Sequence, residues 1–398
     1  MKNLTCHINN IKANRIMKHN HNVIFALAII LTIIFVGCNS KKYFKPEFTN
    51  GKIEFNSTLE KPITQATRVN ARLKNDKAVL YNARFIKLYS NQNVLFQDDS
   101  EIIATNGCAG IDIIPYNLQQ DTNTIEPQES KAIHINTQIC VISASKKDNM
   151  VAGILADNTL FLYDIEAKQM IFQEKSESIY AISSLNANPI FLDTLVIFPT
   201  LDGRLSTLDI KQKKIVRNII VNTEKFLNNI IYLKVEKDEL ISATPKKIYT
   251  LIRGESYSID MELRDVYFDG NFIYTLNLNG IIYQLDKTLA IIKSTKLPYA
   301  NLNGIIIKDN KLYTLESNGG FLIALDLNNF NYDVFKLSGF KKNATIFYNK
   351  DTFFINNKEL NLSKNYHTKL YERKPKKESK EKYKSEDEKV DSTSKKRE

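Results

Sequence analysis

Residues 202–218 read DGRLSTLDIKQKKIVRN. An Asp-Gly pair opens a turn, and the residues after it alternate. Leu205, Thr207 and Asp209 fall on one face, and Ser206, Leu208 and Ile210 on the other, which is the period of two that marks a strand. A second turn follows Asp209, and then a second strand. Three more segments have the same shape: DNTLFLYDIEAKQMIFQ (157–173), NGIIYQLDKTLAIIKST (279–295) and GGFLIALDLNNFNYDVF (319–335). Their anchor aspartates are Asp164, Asp209, Asp286 and Asp326, separated by 45, 77 and 40 residues. The gap of 77 spans nearly two units. A degenerate copy fills it, KKIYTLIRGESYSIDME (246–262), with Arg253 at the Asp position.

Upstream of each turn lies a further apolar run, such as LVIFPT (195–200), NFIYTLNL (271–278) or NKLYTLES (310–317). Each unit of about 40 residues therefore predicts four short strands and no helix, the pattern of a β-propeller blade. Looser copies, NGKIEFNSTL (50–59), NDKAVLYNARFIKL (75–88), NVLFQDDSEIIATNG (93–107) and NKDTFFINNKELNL (349–362), extend the pattern. The all-β body is expected over 45–370, with about eight blades, or seven. Closure into a ring lets each blade cover its neighbour's apolar face and leaves no long edge strand.

The anchor aspartates recur once per unit, so they read as turn residues whose carboxylates accept backbone N–H bonds, and not as a catalytic array. Composition supports a folded chain. Of 398 residues, 43% are hydrophobic and 25% charged, with 19 Tyr, 21 Phe and no Trp, so blade-to-blade wedges must be Ile, Val, Phe or Tyr.

The start of the chain reads as an address. Val23 to Val36, VIFALAIILTIIFV, is an apolar run of 14, short for a spanning helix and right for a signal peptide core. Lys18 precedes it and Phe35-Val36-Gly37-Cys38 ends it. A small residue before Cys at this place resembles the lipobox of bacterial lipoproteins. The resemblance implies cleavage between Gly37 and Cys38, lipidation of Cys38 and fatty acylation of the new amine, with 38–44 as a lipidated leader. The competing reading is an uncleaved signal anchor. Met17 opens a conventional signal sequence, so translation is expected to start there. Asn39 lacks the Asp that retains lipoproteins in the inner membrane, which implies lipid anchoring in the outer membrane, on its periplasmic side.

After processing, Cys108 and Cys140 remain, 32 residues apart. An oxidising compartment allows a disulfide; two buried thiols on neighbouring strands are the alternative. The tail 371–398 is rich in Lys and Glu and nearly devoid of apolar residues, so it predicts disorder. Residues 1–38 hold four Lys/Arg and no acid, and the tail is net +3, so only +4 of the formal +11 belongs to the body. That balance does not indicate nucleic acid.

DGRLSTLDIKQKKIV is similar to the repeat of quinoprotein-type (PQQ-like) propellers. Its Asp-Gly, Leu and Leu-Asp match; Gln212-Lys213 and Val216 replace the family's Thr-Gly and docking Trp. A lipoprotein with such a propeller resembles the B-subunit lipoproteins of the BAM outer-membrane-protein assembly complex. In ELRDVYFDGNFIYTLNLNGIIYQLD (262–286), Asp265 and Val266 match a family motif that binds the barrel-forming partner, and Tyr267 departs from it. The resemblance implies Asp265 as a partner contact, and Arg264 is added as its neighbour; the competing reading is a common surface loop at the start of a blade. It implies a non-catalytic scaffold that binds the barrel-assembly protein and unfolded outer-membrane clients. The alternative function is an envelope-binding propeller for cell-wall polymer or another envelope protein.

Enzymatic readings find little. There is no Trp and no adjacent Cys pair for a quinone cofactor, and no Gly-x-Ser-x-Gly, phosphate loop or His-Glu-x-x-His. Of the mature histidines, His134 reads as a half-buried strand residue in KAIHINTQIC and His367 as a surface group near the tail. No cofactor and no metal are expected.

Overall fold

The computed structural model describes residues 42–89, 92–118, 123–364 and 368–371. Gly37, Cys38, His367 and all but the first residue of the charged tail lie outside the described residues. So does the apolar run 23–36. Among the described residues no helix is long and apolar enough to cross a membrane.

The chain is all-β, with a single 3-10 turn at Glu129–Lys131 among the described residues. Those residues form seven sheets, five of them four-stranded. The repeat quoted first supplies the third and fourth strands of one of these, Arg204–Asp209 and Lys214–Ile220, after Ile190–Leu192 and Leu195–Pro199. All its neighbours are antiparallel, with Val196 opposite Leu208 and Leu208 opposite Ile215. The segments 141–175, 232–260 and 263–296 repeat the arrangement.

Apolar clusters tie successive sheets together. Ile154, Leu162 and Phe172 pack against Val196, Phe198 and Leu208 of the next sheet. Ile197 and Leu205 pack in turn with Leu240 and Tyr249, and Ile241 and Ile248 with Val266 and Phe268. The last link returns to the start: Phe347 and Phe354 pack with Ile63, Leu73 and Val79. With no Trp in the chain, Phe161, Phe198, Phe268, Phe347, Phe353, Phe354 and Tyr274 are the largest fully buried side chains. Each buries its ring with a gain of about 2–3 kcal/mol, so the blade-to-blade burial logic survives without indole.

The two ends of the chain close the ring. Ser57–Thr58 is the fourth strand of the last unit, with Ser57 opposite Glu359 and Thr58 opposite Lys358. Gly51–Ile53 extends the preceding sheet, parallel to Tyr332–Leu337 and antiparallel to Thr368–Leu370. Asn50 fastens this seam, donating from Nδ2 to Asp333 (2.7 Å) and accepting from the Val334 N–H (2.8 Å).

Antiparallel order gives the ring two faces. Connections between first and second strands, and between third and fourth, lie on one, here the lower face. Connections between second and third strands, and from each unit to the next, lie on the other, the upper face. The first strand of each unit lines the central channel.

Candidate functional site

The channel contains a cavity of about 790 Å³ bordered by the inner strands of several units. Its principal charged side chain is Arg68, in the lower connection after Ile63–Ala66. Thr67 holds that connection in a tight turn, its Oγ1 accepting from the N–H groups of Val69 (3.1 Å) and Asn70 (3.2 Å). The turn aims Arg68 across the channel. Its Nε donates to the Ile231 carbonyl at 2.7 Å and its Nη2 to Asp265 Oδ1 at 3.0 Å. The guanidinium also lies 5.7 Å from the Tyr232 ring centre.

Asp265 reaches this place because its strand, Leu263–Phe268, bulges. Leu263 pairs with Asn277 and Asp265 with Leu276, so Arg264 is the extra residue. The bulge turns Asp265 inward, where only 4% of it is exposed. Oδ1 also accepts from the Val266 N–H at 2.9 Å, and Oδ2 accepts from the Tyr348 hydroxyl. Arg264 is half-buried, and its Nε has no hydrogen-bond partner among the described residues.

This corrects the expected placement of Asp265. Asp265 is not on a surface loop but in a channel strand, and both its oxygens are engaged within the chain. A carboxylate so paired offers little to a docking protein. What the sequence reading missed is the partner set, Arg68, Tyr232 and Tyr348, which come from three separate units. ATRVNA, around Arg68, has no motif to mark it.

The electrostatics follow from burial. Burial opposes the Arg68 charge, but Asp265, Tyr348 and Tyr232 outweigh it and its pKa is raised. Burial, with Asp265 adding, pushes the Tyr348 hydroxyl well above its ordinary value. Burial likewise raises Tyr232, whose oxygen accepts from the Phe268 N–H at 3.0 Å. The cluster is a locked ion pair, a cross-brace between units. It presents no free base or nucleophile.

The other flagged residues lie elsewhere. Asp164 accepts from Ala167 N–H (3.0 Å) and Asp209 from Gln212 N–H (2.8 Å). Asp286 accepts from Thr288 (2.8 Å) and Ala290 (3.0 Å), and Asp326 from Asn328 (2.8 Å) and Asn329 (3.2 Å). All four sit in lower-face turns between third and fourth strands. In the degenerate unit, Arg253 (φ 51°) and Gly254 (φ 87°) form a two-residue turn that needs no carboxylate. A disulfide joins Cys108 to Cys140 across two upper-face connections. His134 lies in Ile133–Asn136 with its side chain 72% exposed, not half-buried, because Ile135 takes the inward face. Its Nδ1 lies 2.6 Å from Asp112 Oδ1. Among the described residues no group of three His, Cys, Asp or Glu is placed to hold a metal.

Two curated proteins resemble most of the chain. The plasminogen-binding protein PgbB of Helicobacter pylori strain J99 is 33% identical over 375 residues, covering 84% of this chain and 69% of its own length. PgbB of H. pylori strain 26695 matches to the same extent. The chain belongs to the PgbB family. No family model matches it.

Solved structures show the fold independently. BamB from Moraxella catarrhalis is 14% identical, with a TM-score of 0.53 over 75% of this chain and 96% of its own. The C-terminal WD40 domain of Sif2 is 12% identical, with a TM-score of 0.55 over 78% and 97%. At such identities the PgbB-family chain shares a β-propeller with both, and nothing more specific.

Proposed function

We propose that this protein is a lipid-anchored, non-catalytic propeller whose loops bind another protein, and that plasminogen is the partner to test first. The family membership carries the choice of partner, because the PgbB relatives are named as plasminogen-binding. A ring braced from inside by Arg68 and Asp265 supports rigid display of loops over chemistry in the channel. Eight blades is the count we favour, taking the nine-stranded sheet as two units and the last sheet as completed by Ser57–Thr58. A PQQ-like origin of the repeat and attachment to the outer membrane through Cys38 belong to the same reading, with the propeller on the outer surface in place of the periplasmic side expected from Asn39, since plasminogen reaches an intact cell only from outside.

The competing reading, a scaffold for outer-membrane barrel assembly, loses its main residue-level support, since Asp265 is occupied. The experiment is to capture plasminogen on intact cells, with and without deletion of this gene, beside affinity capture of the lipoprotein from solubilised envelopes. Loss of cell-bound plasminogen on deletion supports the proposal. Unchanged plasminogen binding, together with recovery of a barrel-assembly protein, replaces it with the scaffold reading.

A further inference from the structure

Residues 42–44 and two upper-face connections form a patch that begins four residues after Cys38 in the sequence. Leu278 is 47% exposed in the connection between Ile273–Asn277 and Ile281–Leu285. Tyr299 is 54% exposed in the connection from that unit to the next. The two connections touch: a Cβ on Gly280 would lie 2.3 Å from the Leu297 carbonyl and 3.2 Å from the Ala300 nitrogen. Lys42 Nζ stands 5.4 Å from the Tyr299 ring centre. Tyr43, next in the chain and 41% exposed, has Lys342 Nζ 4.7 Å from its ring.

Phe44 then enters the core edge-on to Phe321 and pins the leader to this face. The patch thus combines apolar and aromatic tips with exposed lysines, Lys42, Lys296, Lys341 and Lys342, against two exposed acids nearby, Glu47 and Glu262. Amphipathic rings flanked by cations suit a lipid headgroup layer.

We infer that this patch rests on the surface of an anionic bilayer and sets the orientation of the propeller, upper face towards the lipid and channel mouth away from it. The inference rests on the reading that Cys38 is acylated. Four residue steps separate Cys38 from Lys42, so Lys42 lies within about 14 Å of the acylated position even with the chain fully extended. At that tether length Tyr299 and Leu278 are within reach of the headgroup region. Lysines this close act within about one Debye length of the anionic surface. The lower face, with Tyr81 and Lys350 at the channel mouth, is then left open to a protein partner. Tyr371 joins the seam through its N–H, which bonds to the Asn50 carbonyl at 2.8 Å.

The absence of Trp makes the test clean. Single-tryptophan forms of the full lipoprotein, Tyr299→Trp on the patch and Tyr81→Trp on the lower face, are incorporated into phosphatidylethanolamine/phosphatidylglycerol vesicles with brominated acyl chains. Intact mass and vesicle flotation report acylation. The expected result is flotation with Tyr299→Trp emission quenched at least two-fold and Tyr81→Trp emission unchanged. Flotation with neither emission quenched overturns the docking and keeps the anchor. Flotation with both quenched overturns the orientation. An unacylated protein that does not float overturns the anchor and the inference with it.

Discussion

Arg68 and Asp265 show how much one pair of side chains can depend on the fold around it. Asp265 has a side chain 6% exposed and Arg68 one 21% exposed, the latter towards the channel. Removing the cation alone leaves a desolvated carboxylate, whereas replacing both by apolar groups removes the need for either. Arg68→Met should lower stability by about 3 kcal/mol, and the Arg68→Met/Asp265→Leu double variant should recover most of it. Urea midpoints measure both, and equal loss in the single and double variants would argue against a braced pair. Tyr274 gives a pH signature. Burial, with Asp269 adding, pushes its hydroxyl up to about 12, against about 10 for an exposed Tyr. Below pH 10 native and unfolded chains both keep the proton and stability is full. Between pH 10 and 12 only the unfolded chain loses it, so stability falls by up to about 1.4 kcal/mol per pH unit. Tyr232 and Tyr348, also raised by burial, add slope in the same direction, so Tyr274→Phe should make that part of the profile shallower by its own share, measured by denaturant titration from pH 9 to 12.

At the scale of elements, the repeat is held by its turns and bulges. Asp286 satisfies two backbone N–H groups in the turn from Ile281–Leu285 to Ile291–Lys296, whereas Asp209 satisfies one. Each lost bond costs about 1 kcal/mol. Asp286→Ala should therefore destabilise by roughly twice as much as Asp209→Ala in chemical denaturation. Arg253→Asp should gain nothing, since the Arg253-Gly254 turn is closed by its positive φ angles. The Cys108–Cys140 bond closes a 32-residue separation that includes Ile133–Asn136. Its removal by Cys108→Ser should cost roughly 3–4 kcal/mol in the chain-entropy account. The same loss should appear when the parent chain is melted with reductant, and no change with reductant would show that the bond does not form. Alternation and turn pairs made these strands legible along the chain. The bulge at Arg264 was not legible, because a bulge is set by the partner strand's register, and LRDV carries no sign of which residue Asn277 and Leu276 will skip.

The whole ring depends on joining its two ends. Ser57–Thr58 pairs with Lys358–Asn361 about 300 residues away, and Gly51–Ile53 lies between Tyr332–Leu337 and Thr368–Leu370. Deleting residues 42–58 leaves two open strand edges and removes Phe44 and Ile53 from the clusters they share with Ile323 and Leu325, and with Phe353 and Leu360. The truncated protein should lose its single cooperative transition and associate with concentration, as followed by urea unfolding and gel filtration.

Local chemistry is written in the sequence by itself. Strand period, Asp-Gly and Asn-Gly turns and the once-per-unit aspartate need only neighbouring residues, so the all-β repeat, its spacing and its propeller class were readable before any contact was known. Tertiary structure alone decided what meets across the channel. Arg68, Tyr232, Asp265 and Tyr348 are brought together by closure of the ring, and no local rule couples residues 68 and 265. The same closure moved Asp265 from an expected surface contact to a buried brace, because a strand's inward face is defined only once the sheets have packed around their axis.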